Sequence, residues 1–257
     1  MTWPIPDPVA ALLVLARIAG LLLTAPLLAH ALVPPRVRVA LAGVLALALA
    51  PVAGTAVLPA VSLPGFVAAI AVETAVGAML GFIGQLVFAG VQLGGQLAGL
   101  EMGFGMANLL DPQSSQQSTV VAEWQQLLAL LVFLALDVHH VLIAALAESF
   151  RVAPVGAAVV SLPALEGLGA RGAEMFAIGV RLAAPVLIVL LLVNATLGVL
   201  ARTIPQLNVF VVGFPVNVGA GLLVLGASLP FAFRFLAERF VELRPLLGWL
   251  VRGMSGG

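Results

Sequence analysis

Six ionisable side chains lie inside otherwise apolar runs: Arg17, Glu73, Asp137, His139, His140 and Arg181. In hydrocarbon each costs at least ~2.5 kcal/mol unless paired or hydrated, so such groups are bound to one another or put to use. Asp137-Val138-His139-His140 is the densest cluster. A histidine beside a carboxylate suits a proton relay. The same four residues also suit a polar helix end, because Glu148 and a polar connector follow closely. On a regular helix adjacent side chains point ~100° apart, which disfavours joint metal ligation by His139 and His140. No metal or cofactor is expected. Arg17 and Glu73 are candidates for mutual partners between segments. Enzyme constellations are missing from the sequence. There is no Lys for a phosphate-binding loop, no HExxH, no GxSxG nucleophile, and no Cys for thiol, disulfide or Cys–metal chemistry.

Three further stretches carry more texture. Gly77/Gly81, Gly90/Gly94, Gly95/Gly99 and Gly99/Gly103 repeat the small-xxx-small spacing that lets helix backbones approach where lipid offers no hydrophobic drive. Gln85, Gln92 and Gln96 share one helical face. That face suits polar glue to a partner subunit, a wetted lumen, or packing within the chain. The run Gly105-Met106-Ala107-Asn108-Leu109-Leu110-Asp111-Pro112-Gln113-Ser114, continuing to Thr119, follows the glycines and contains neither Arg nor Glu. It suits a plug or gate as well as an ordinary exposed loop. In the third stretch, from Arg202 to Pro215, Pro205 and Pro215 frame Gln206 and Asn208. A helix broken here leaves backbone groups in need of partners, either as a joint and contact surface or as a short turn.

The elements that must position these residues follow from composition. The chain has 257 residues, 62% hydrophobic and only 9% charged, against about 25% charged in an ordinary soluble domain. Its mean hydropathy is +1.20. So little polar surface cannot cover such a core in water, which excludes a secreted enzyme, a nucleic-acid binder and a disordered chain. The fold class is all-α and polytopic, with the bilayer as solvent. Eleven basic residues, all Arg, balance eleven acidic ones, leaving no basic patch for nucleic acid. Trp3, Trp124 and Trp249 fall near segment ends, where aromatic residues anchor at interfaces.

Apolar runs are read at 9–33, 39–58, 64–106, 120–147, 175–200 and 206–229. Asp7 and the lack of Arg before residue 17 make a poor signal-peptide start, so the first run is expected to be retained. The third run would make a rod of ~60 Å, twice the ~30 Å hydrocarbon core. It is expected to bend, tilt steeply or fold back at its glycines. Counting it as two crossings places Arg36, Arg38, Arg151, Arg171 and the Arg-bearing tail on one side. Residues 148–174 read as a mixed connector. Residues 231–252 read as an amphipathic helix kinked at Pro245, with Leu236, Phe240, Leu243, Leu247 and Leu250 on one stripe. With no linker long enough to divide it, the chain is expected to be one helical unit over 1–257.

Five motifs in this order resemble a known family, the FliR/SctT export-gate proteins of type III secretion. The first is Ala25-Pro26-Leu27 with Val33-Pro34-Pro35-Arg36-Val37-Arg38. Gln92 to Gly103 is the second, and Leu110-Asp111-Pro112-Gln113-Ser114 the third, its form closer to flagellar members. Leu136-Asp137-Val138-His139 and Pro205-Gln206-Leu207-Asn208 through Pro215 complete the set. Two positions depart from the family pattern: Glu101 stands where Gln is usual, and Val138 where Gly is common.

The resemblance implies a fold like a FliP-type unit joined to a FliQ-type unit. It implies a channel built with FliP and FliQ in the flagellar basal body, in the inner membrane but largely lifted out of the bilayer plane. FlhB and FlhA would be cytoplasmic neighbours, and unfolded rod, hook and filament proteins would pass through. It assigns residues 105–119 as the plug of the export pore. Met102 and Met106 are expected to add soft sealing contacts. The alternatives are the corresponding subunit of a virulence secretion system, a proton-coupled transporter using Glu73, Asp137 and His139, and a purely structural membrane scaffold.

Overall fold

The computed structural model describes residues 8–26, 33–53, 63–105, 118–204 and 208–254. Among these residues there are seven helices and no strand: α1 Pro8–Thr24, α2 Pro35–Ala53, α3 Leu63–Glu101, α4 Val120–Ala135, α5 Val138–Val152, α6 Leu162–Thr203 and α7 Val209–Arg252. Helices α2, α3, α6 and α7 are long and apolar enough to cross a membrane, and α4 with α5 adds a fifth span if that broken pair counts as one. The fold is all-α and polytopic.

Three expectations change. The third apolar run does not fold back. It is one helix of 39 residues, ~58 Å long at 1.5 Å per residue, so it cannot supply two crossings. Its glycines are contact points and not breaks, because in a medium without competing hydrogen-bond donors an unpaired backbone costs more than glycine's weak helix propensity. The connector 148–174 is helical from Leu162 onward, as the first part of the 42-residue α6. The sixth run and the amphipathic tail, read as separate segments, join in the 44-residue α7.

The chain clusters into two compact units: Met1–Leu86 with Phe133–Gly172 and Arg239–Gly257, and Val87–Val132 with Ala173–Glu238. No linker separates them, since α3, α4, α6 and α7 each run unbroken from one unit into the other.

In the first unit α2 packs on α1 and α5. Helices α1 and α3 approach at backbone distance. A Cβ on Gly20 would collide with the Thr74 carbonyl, and one on Gly77 with the Arg17 carbonyl. The predicted stripe of α7 is buried here: Phe240, Leu243, Leu247 and Leu250 are at most 2% exposed. The Phe240 ring meets Phe133 edge-on at 5.6 Å, a favoured aromatic geometry. The core of the second unit is Ala98, Met102, Val121, Val186, Leu190 and Leu225, with Phe104, Ala220 and Val224 against it. Each unit also exposes apolar side chains, such as Val39 and Leu63 in the first and Leu191, Val211 and Leu223 in the second. In water these would aggregate; lipid or partner subunits must cover them.

Candidate functional site

Arg17 and Glu73 meet in the first unit, both at most 1% exposed. Arg17 Nε donates to Glu73 Oε2 at 2.5 Å. Nη1 donates to the carbonyls of Ser149 at 2.9 Å and Ala153 at 3.0 Å, and to Ser149 Oγ at 3.2 Å. These carbonyls lie at the C-terminal end of α5, where a cation stabilises the helix dipole. The second carboxylate oxygen, Glu73 Oε1, accepts from the Gly156 amide at 2.9 Å. Gly156 has φ +83, a conformation that favours glycine. The guanidinium carbon stands 4.5 Å from the centre of the Phe150 ring, whose face receives the remaining positive charge. One ion pair thus ties α1, α3, the end of α5 and the connector behind it. Both carboxylate oxygens are engaged, while Arg17 Nη2 is buried without a hydrogen-bond partner.

In the second unit the glycines of α3 form two seams. Gly90 and Gly94 face α6. A Cβ on either would come 2.8 Å from a carbonyl oxygen, that of Met175 or Gly179. Gly95 and Gly99 face α4. A Cβ on Gly95 would land on the Ala122 backbone, and one on Gly99 on the Thr119 side chain. The seams lie ~140° apart around the helix, as their five-residue offset requires. At all four glycines the space is filled by backbone or side chains of this same chain. Gln92 and Gln96 are half-buried on the same helix.

The two seams fix the base of the expected plug. Helix α3 ends in a Schellman turn: Gly103 takes φ +95, the Phe104 amide donates to Gly99 O and the Gly103 amide to Leu100 O, each at 3.0 Å. Phe214 of α7 covers Gly103, 2.9 Å from where a Cβ would stand. Across from it, Thr119 caps α4. Its hydroxyl accepts from the Ala122 amide at 3.3 Å and donates to Gly95 O at 3.2 Å. Thr119, expected as the last residue of the loop, is therefore a buried helix cap pinned to α3. Gly105 is half-buried near Leu100. Met106, Asn108, Leu109, Leu110, Asp111, Pro112, Gln113 and Ser114 lie outside the described residues. Met102 is fully buried in the chain's own core, on Gly221, so it is not free to seal a lumen. Glu101 is exposed.

The other expected sites separate. Asp137 and His139 do not sit within a continuous apolar helix. The chain breaks at Leu136-Asp137, and Asp137 holds a left-handed φ of 53 at the start of α5. Asp137 and His140 are exposed and His139 half-exposed. The expectation that two adjacent histidines point apart fails here, because the rings lean together to 4.1 Å between centroids at this corner. Arg181 is exposed on α6 beside Val180 and near Ile188. Asn208 caps α7, accepting from the Val211 amide through its carbonyl at 3.1 Å and Oδ1 at 3.4 Å. Pro215 is exposed within α7; Pro205 and Gln206 lie outside the described residues. The roles of Thr119, Ser149, Gly156 and Phe214 were missed in the sequence. A Thr directly before an apolar helix was a readable cap signal; the other three act only through tertiary contact.

Long apolar helices, buried ion pairing and close helix seams define a polytopic membrane protein. Residues 9–243 match the family of bacterial export proteins, family 1, and the chain belongs to that family. It is 36% identical over 241 residues to the flagellar biosynthetic protein FliR of Escherichia coli strain K12, covering 92% of this chain and 90% of the relative. It is 35% identical over 239 residues to the protein of the same name from Pectobacterium carotovorum subsp. carotovorum, covering 93% and 91%. The Bacillus subtilis strain 168 FliR is 34% identical over 220 residues, with 84% of each chain covered. None of these three names is that of an enzyme. The chain is a multi-pass inner-membrane component of flagellar protein export.

Proposed function

We propose that this protein is a subunit of the flagellar export gate. With FliP and FliQ it forms the channel for unfolded rod, hook and filament proteins, next to FlhB and FlhA in the basal body. The 1–257 chain acts as one gate subunit, and residues 105–119 act as its plug. The observation that carries this reading is the fixed base of that loop. Its two ends are a Schellman turn at Gly103 and a cap at Thr119, pinned to adjacent turns of α3. A segment tethered at one spot can leave and re-enter a pore without repacking the helices that hold it. Its one charged residue, Asp111, keeps the desolvation cost of closing low.

The outer apolar faces support a role inside an assembly. Helices α6 and α7 are 42 and 44 residues long, more than ~60 Å each, and no ~30 Å hydrocarbon layer covers that length. Arg181 on such a face calls for a partner or a headgroup. The test is to shorten residues 106–117 and read membrane ion leakage together with secretion of hook protein. The plug reading expects increased leakage with export retained or raised. Unchanged leakage and unchanged export would refute it.

A further inference from the structure

We infer that Asp137, His139 and His140 form a binding site for a divalent cation of the zinc class, at the corner between the last turn of α4 and the first turn of α5. Asp137 Oδ1 lies 3.3 Å from His140 Nδ1 and 4.0 Å from His139 Nε2. All three ligand atoms fall within 4.8 Å of one another. Tetrahedral zinc with bonds of ~2.0–2.1 Å places its ligand atoms ~3.3 Å apart. One edge of the site already has that spacing. The other edges close by rotating side chains that are exposed enough to turn.

Two further observations favour a ligand. Asp137 stands where an aspartate ordinarily caps a helix, yet it makes no side-chain cap hydrogen bond. Its carboxylate turns to the two imidazoles instead. His139 Nδ1 is buried without a hydrogen-bond partner, which confines the polar function of that ring to Nε2, the atom facing Asp137. Two imidazoles and one carboxylate are a borderline donor set that suits zinc and its neighbours in the transition series. Magnesium and calcium prefer oxygen alone. Three protein ligands leave a fourth position to water or to a donor from a neighbouring protein.

The bound ion would clamp the left-handed Asp137 and so hold the corner. The experiment uses the full chain in detergent, purified with a tag lacking histidine, stripped with EDTA and titrated with zinc by calorimetry. Cobalt(II) absorption reports the ligand set. One zinc per chain is expected, with a tetrahedral cobalt spectrum. Affinity is expected to fall about tenfold or more in His139→Ala and in His140→Ala, and to stay unchanged in the control His30→Ala. No saturable zinc binding by the wild-type chain would overturn the site, and so would undiminished binding by the His139→Ala/His140→Ala double variant. Should the alanine variants not fold, the isosteric Asp137→Asn and the wild-type cobalt spectrum decide. An octahedral all-oxygen spectrum would overturn the proposal. None of these outcomes bears on the export reading, whose carrying observation lies at Gly103 and Thr119.

Discussion

At the scale of single residues, the Arg17–Glu73 pair has the most direct consequence. Removing one partner leaves a charge fully buried, so Glu73→Ala or Arg17→Ala is expected to cost ~3–5 kcal/mol. Thermal unfolding in detergent would read this as a large drop in Tm. The double variant Arg17→Met/Glu73→Leu removes both charges and is expected to lose less than either single one. A double variant as unstable as the singles would show that the pair is not the source of the cost. The glycines divide in the same way. Gly95→Val drives its side chain into the Ala122 backbone and is expected to cost at least ~1–3 kcal/mol and to lower the amount of folded protein. Gly43 has nothing within 4 Å of its missing Cβ, so Gly43→Ala is expected to raise stability by up to ~1 kcal/mol. The sequence offered Arg17 and Glu73 as candidate partners but did not pair them, because Asp137 and Arg181 also lie inside apolar runs. The engagement of Ser149 and Gly156 was not legible, because a serine and a glycine in a connector carry no signal of what comes near them.

Among the elements, the ends of α3 and α4 carry the argument. Thr119→Val keeps the shape of the side chain and removes both hydroxyl bonds. It is expected to cost ~1–2 kcal/mol at the start of α4 and to speed amide exchange at Val120–Ala122 roughly fivefold or more. Unchanged exchange there would mean that the cap does not hold the loop base. Helix boundaries set by paired prolines at 34–35 and by the break after Thr203 were readable, since proline removes a donor and fixes φ. The continuity of α3 was not, because glycine signals a break in water and a close crossing in lipid. The break at Asp137 was hidden by apolar residues on both sides, although the polar helix-end alternative pointed to it. The amphipathic stripe of α7 was fully legible from its spacing, while its continuity with the preceding run was not.

For the whole molecule, composition alone gave the class, since 9% charged residues cannot solvate this chain. The ordered set of five motifs gave the family, and the match over residues 9–243 places the chain in it. The two compact units had no sequence signal, because the divisions fall inside uninterrupted helices. The central claim is that this chain is needed for flagellar export. The measurement that tests it most directly is a clean deletion of its gene, with hook and filament proteins assayed in the culture medium and the gene restored on a plasmid. The account predicts that both proteins vanish from the medium and return on restoration. Normal secretion of hook and filament proteins by the deletion strain would contradict it.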